Sequence, residues 1–144
     1  MIDLFVQQWE KNKDLLKKYF ETTNVKEYDS YEKLIKIVLD KIINTDNDVY
    51  GETINLNKII KIDYGDYQGT LIFVFPADCY QPSPYDTYYT TVSYGSCSGC
   101  DTLMGIVDVW YDDSDLPTKS QVDSLMTLSL HLIQNTYTFK DWED

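Results

Sequence analysis

Over the first twenty positions apolar residues recur at three- and four-residue steps. Ile2, Phe5, Trp9, Leu16, Tyr19 and Phe20 form the series, with Lys11, Lys13, Asp14 and Lys17 between them. That period predicts an amphipathic helix. A second helix is expected to open at Asp29 or Ser30, with Glu32 placed three residues after Asp29 as in a capping box. Leu34, Ile35, Val38, Leu39, Ile42 and Ile43 trace its buried face. The two helices read as an antiparallel pair, apolar inside.

The period then shortens to two. KIIKIDY (58–64) and YQGTLIFVF (67–75) are rich in β-branched and aromatic residues and flank Gly65-Asp66, which predicts a hairpin whose second strand ends at Pro76. ADCYQPSPYD (77–86) carries two prolines and reads as a shaped loop. TYYTTVSY (87–94) resumes strand character; Tyr88 and Tyr89 must face opposite ways, so at least one is a core candidate. Gly95–Gly99 is a turn, followed by a short helix from Cys100 to about Trp110 with Ser98 and Asp101 spaced as caps. Thr118 and Gln121 repeat the capping pattern ahead of a long last helix with Val122, Leu125, Met126, Ser129, Leu132 and Ile133 on one face. The tail TFKDWED is expected either to dock through Phe139 and Trp142 or to fray.

This order, α-α-β-β-β-α-α, predicts an α+β fold in which a small antiparallel sheet of about three strands packs with four helices on one side. At 144 residues the chain suits a single domain, 1–144. Its expected parts are a helical hairpin at 1–45, the sheet at 58–95 and the C-terminal helices at 100–136. No apolar run reaches the ~18–20 residues of a membrane span, and MIDLFVQQWEK has neither a basic n-region nor a cleavage site. A protein without a membrane partner, working in the cytoplasm, is the expectation.

Charge narrows the choice of partner. Twelve basic against 24 acidic residues give −12, and every basic residue is lysine. Residues 1–45 balance, eight Lys against eight acids, whereas no basic residue stands between Lys61 and Lys119. Asp63, Asp66, Asp78, Asp86, Asp101, Asp108, Asp112, Asp113 and Asp115 fall in that interval. Such a stretch repels phosphate backbones and attracts basic surfaces, and without arginine there is no planar fork to grip phosphate. Direct binding of nucleic acid is disfavoured.

The sharpest local motif is Cys97-Ser-Gly-Cys100. A CxxC between a strand and a helix start favours the thiolate and permits redox exchange or metal ligation, although the order of elements is not the βαβ succession of a thioredoxin-like domain. Burial of both thiols as small apolar side chains is the plainer reading. Tetrahedral zinc needs four ligands, and Cys79, Cys97, Cys100 and His131 are the candidates of suitable chemistry, at spacings that match no zinc finger. His131, the single histidine, stands between Leu130 and Leu132, where packing is a better reading than catalysis. Asp46-Asn-Asp48-Val-Tyr50-Gly51 has the opening of a calcium loop but Asn57 where the bidentate glutamate belongs, so it is not an EF-hand. Tyrosine is in excess, at thirteen, and Tyr80, Tyr85, Tyr88, Tyr89, Tyr94 and Tyr111 share the lysine-free interval. Aromatic groups beside carboxylates suit a partner rich in lysine and arginine.

YQPSPYDTYYTTVSYGSCSGCDTLMGI (80–106), continued by LPTKSQVDSLMTLSLHLIQ (116–134), resembles a group of small bacteriophage proteins. These share a YQPS loop, a tyrosine-rich strand, the run YGSCSGCDTL and a closing helix with a Leu-His-Leu step. The resemblance covers about the second half of the chain, implies phage origin and brings no reaction with it. It also implies a hydroxyl residue where Cys79 stands, which argues against a metal site needing that ligand.

Two functional expectations follow. The first is a non-enzymatic phage accessory protein that binds and inhibits a host defence or nucleic-acid-handling protein, of anti-CRISPR or anti-restriction type, in the host cytoplasm. Tyr85, Asp86, Tyr111, Asp112, Asp113 and Asp115 are its candidate contacts, and no cofactor is required. The second is a small-ligand, thiol-redox or zinc-binding protein built on the CSGC turn.

Overall fold

The computed structural model describes residues 3–45, 53–65, 69–78, 87–94, 102–107 and 116–138. Helix α1, Asp3–Thr22, buries Phe5, Trp9, Leu16 and Phe20, the stripe its spacing predicts, and leaves Tyr19 half-buried. Asn12 is also buried on this helix, though its type gave no hint of it. A 3₁₀ turn, Val25–Tyr28, follows, capped by Asn24, whose side chain accepts from the Lys26 N–H at 2.9 Å. Tyr28 is fully buried edge-on to Phe20, ring centres 5.0 Å apart, and its hydroxyl donates to the Thr23 carbonyl.

Helix α2, Tyr31–Val38, starts at Ser30, whose Oγ accepts from the Lys33 N–H at 3.2 Å. Asp29 instead forms an exposed ion pair with Lys33 Nζ at 3.0 Å. The expected apolar face is buried throughout, from Leu34 to Ile43. Its last part, Leu39–Ile43, is a π-turn closed by the Asn44 N–H on the Leu39 carbonyl at 2.9 Å. The Asn12 amide donates to the Ile42 carbonyl at 2.8 Å, so α1 is fastened to this wider turn across thirty residues. Asn44 then clamps Ile54, accepting from its N–H at 2.7 Å and donating to its carbonyl at 3.0 Å.

After a 3₁₀ turn at Leu56–Lys58 come β1, Ile60–Gly65, β2, Gly69–Pro76, and β3, Thr87–Tyr94. Helix α3 is Thr102–Val107, α4 is Lys119–Gln134, and β4 is Thr136–Thr138. The sheet is antiparallel in the order β1-β2-β3-β4. The class is therefore α+β as expected, but with four strands rather than about three. The addition is β4, which the chain forms directly after α4 by pairing Thr136 and Thr138 with Thr90 and Tyr88. A three-residue strand shows no alternation of its own; pairing with β3 creates it.

Register separates the two faces of the sheet. Phe73, Phe75, Tyr88, Thr90 and Thr136 are buried beneath the helices, Tyr88 lying 5.0 Å from Phe5 and 6.1 Å from Phe75. The open face carries Ile60, Ile62, Ile72, Val74, Tyr89 and Tyr137, the two tyrosine rings 6.0 Å apart. Thus Tyr88 is the core member of the Tyr88-Tyr89 pair.

Both halves of the capping box at α4 are formed: Thr118 Oγ1 accepts from the Gln121 N–H, and the Gln121 side chain accepts from the Thr118 N–H. The same glutamine donates to the Ile106 carbonyl at 3.0 Å and so ties α3 to α4. At the other end, the hydroxyls of Thr90 and Thr136 reach the Leu132 carbonyl at 3.3 and 2.7 Å, and Asn135 Nδ2 donates to the Thr91 carbonyl. The two threonine hydroxyls thus satisfy a carbonyl that the helix end leaves without a helical partner, and the asparagine ties that end to β3. Among the described residues, no helix is long and apolar enough to cross a membrane.

Candidate functional site

A hollow of about 830 Å³ lies between α3 and α4. The solvent side of α4 supplies Ser120, Ser124, Thr127 and His131 at helical spacing, Asp123 stands beside them, and Thr102 of α3 closes the other wall. A second hollow of about 240 Å³ continues toward β3 and shares Thr102, Leu128 and His131 with the first. The opposite face of α4, through Val122, Leu125, Ser129 and Leu132, is buried, which fixes the polar row outward. Tyr31 holds the α3 side in place: its hydroxyl accepts from the Leu103 N–H at 3.1 Å in a buried contact.

Chemically this is a row of hydroxyls with one exposed imidazole, one carboxylate and the Lys119 ammonium, beside the apolar Ile106 and Leu128. His131 has no hydrogen-bonded side chain to orient its ring among the described residues. Thr127 Oγ1 is turned back onto the Asp123 carbonyl at 3.1 Å. Nucleophilic catalysis requires a base held by a second group and in reach of the nucleophile, and these residues do not make that arrangement. The hollow is suited to holding a small polar molecule. Its hydroxyl row is present in the sequence at 120, 124 and 127, but that pattern reads as an ordinary solvated helix face.

Of the candidate metal ligands, the structure places His131, exposed on α4. Cys79, Cys97 and Cys100 lie outside the described residues. Among those described, no group of three or more His, Cys, Asp or Glu is arranged to hold a metal ion. The candidate contacts also lie outside: Tyr85 and Asp86 between β2 and β3, and Tyr111, Asp112, Asp113 and Asp115 between α3 and α4. Phe139, Trp142, Ser98, Asp101 and the 46–51 stretch fall outside as well.

Charge is uneven along the chain: residues 1–45 balance at eight lysines and eight carboxylates, and residues 46–144 carry the whole net charge of −12. The ion pairs Lys13–Glu10, Lys33–Asp29 and Lys41–Asp40 all fall within the first 45 residues. Three of the acid-bearing segments attach at one end of the sheet. The Asp78 N–H donates to the Thr53 carbonyl at 2.8 Å, Pro76 stands opposite Thr87, and Tyr88 stands opposite Thr138. Segments 46–52, 79–86 and 139–144 begin or end at these residues and carry half of the net charge.

No family model matches the chain, and no curated protein or solved structure matches it either.

Proposed function

We propose that this protein acts by binding rather than catalysis, as an acidic inhibitor that occupies the basic, nucleic-acid-handling surface of another protein. The observation that carries the reading is the division of charge. Residues 1–45 balance at eight lysines and eight acids, whereas residues 46–144 hold sixteen acids against four lysines, with no basic residue in the segments between Lys61 and Lys119. Carboxylates on such segments compete with phosphates for the same lysines and arginines, while tyrosines beside them add contact area. Tyr85, Asp86, Tyr111, Asp112, Asp113 and Asp115 are the proposed contacts. Given the resemblance to phage proteins, the concrete form is an anti-CRISPR or anti-restriction protein in the host cytoplasm.

The test is capture from nuclease-treated host lysate on the immobilised chain. The expected result is retention of a nucleic-acid-binding protein that added nucleic acid releases. Retention that nucleic acid does not disturb overturns the reading.

A second reading is a small-ligand, thiol-redox or zinc-binding protein that uses the Cys97-Ser-Gly-Cys100 motif, and the hydroxyl-bearing hollow at His131 favours a small polar ligand. Cys97→Ser with Cys100→Ser separates the two, since it abolishes function there and leaves an acidic inhibitor active.

A further inference from the structure

Among the described residues strand β1 is the outermost in the sheet, and each side chain from Ile60 to Asp63 is exposed. Lys61 and Asp63 stand on the helix side, opposite Phe73 and Leu71, so their exposure means the helical layer stops short of this strand. On the open face Ile60 and Ile62 are 58% and 39% exposed. A strand that buries so little is held chiefly by its ladder to β2, and its outer edge presents peptide groups for pairing.

We propose that β1 is a self-association edge: two copies pair β1 against β1, antiparallel, across a two-fold axis through Ile62. The register follows from charge. In antiparallel pairing, residues whose peptide groups point outward must face residues that do the same, so the two numbers opposite each other have an even sum. A register centred on Lys61 sets lysine against lysine, and one centred on Asp63 sets aspartate against aspartate. Centring on Ile62 sets Lys61 of each copy opposite Asp63 of the other and Ile62 opposite Ile62, with Ile60 opposite position 64. Unlike charges directly across strands favour pairing and like charges oppose it. A lysine on an edge ordinarily discourages pairing; Asp63, two residues on, supplies its complement in a second copy. The two-fold axis places both helical layers on the same side, separated by the two uncovered β1 strands.

The test is sedimentation of the full chain from about 1 µM to 1 mM, a range that spans weak association. Salt of about 0.15 M keeps the Debye length near 8 Å, so that the net charge does not mask the contact. A concentration-dependent dimer is expected. Lys61→Glu and Asp63→Lys should each weaken it about tenfold or more, because each creates two like-charged pairs. Mixing the two variants should restore association as a heterodimer, since Glu at 61 then meets Lys at 63 and Asp63 meets Lys61. Unchanged circular dichroism establishes that both variants fold. A chain that stays monomeric throughout, or a mixture that fails to re-associate, overturns the proposal.

Discussion

Replacing Asn12 with alanine probes the joint that fixes α1 on the π-turn. Asn12 is 6% exposed, and its amide donates to the Ile42 carbonyl at 2.8 Å and to Gln8 Oε1 at 3.2 Å. Truncation leaves the Ile42 carbonyl facing a buried gap. An acceptor orphaned in this way costs about 1–3 kcal/mol, well above the net value of an average hydrogen bond. Against a typical total of about 5–15 kcal/mol, that is a large share. For a chain near 150 residues it corresponds to a fall of roughly 3–10 °C in Tm. Gln8→Ala is the control, because water can replace its one part-buried contact, and it should cost less than about 1 kcal/mol. Urea unfolding followed by circular dichroism reads both variants; a lower midpoint at unchanged slope identifies a stability effect. If Asn12→Ala costs less than about 0.5 kcal/mol, the range of neutral surface changes, then this bond is not what joins the two elements.

Other expectations rest on separate contacts. Thr90→Val and Thr136→Val should each cost about 1 kcal/mol, and the double variant more than their sum, because both hydroxyls serve the Leu132 carbonyl; strict additivity in a double-mutant cycle contradicts this. Thr118→Ala removes the cap of α4 and should cost about 1 kcal/mol by the same unfolding measurement. Burial first, and the Glu27 carboxylate second, raise the Tyr19 pKa above its ordinary value. The folded state therefore holds this proton more tightly. Its contribution is fully present below the unfolded tyrosine value near 10 and is lost as pH rises through the folded value. Tyr19→Phe should flatten that alkaline decline, as read from unfolding midpoints on either side of pH 10.

The parts of this fold that were legible are those with a local cause. The faces of α1 and α2 follow from apolar spacing, β3 from a run of β-branched and aromatic residues, and the start of α4 from the Thr118–Gln121 pair. What escaped depends on distant partners. Asn12 is a polar residue on a helix, and only the Ile42 carbonyl, thirty positions on, explains its burial. Strand β4 exists because Thr90 and Tyr88 offer it a ladder, which nothing in Thr136–Thr138 announces. The choice of Ser30 over Asp29 as cap turned on Lys33, whose backbone takes the serine and whose side chain takes the aspartate. In the candidate hollow, the hydroxyls of α4 have the pattern of any solvated helix face, and only the position of α3 turns them into a wall. The charge asymmetry was plain in the sequence itself, from the balance of residues 1–45 and the lysine-free interval between Lys61 and Lys119.

The central proposal is that the carboxylates of Asp86, Asp112, Asp113 and Asp115 bind the partner. Its most direct test is the salt dependence of that binding for the wild-type chain and for a variant with Asp86, Asp112, Asp113 and Asp115 changed to asparagine. Between about 0.1 M and 1 M salt the Debye length falls from roughly 10 Å to 3 Å. The account predicts wild-type affinity that drops steeply over this range, and a folded variant that binds weakly with a much shallower dependence. Affinity that is unchanged across the range, or unchanged in the variant, would contradict it.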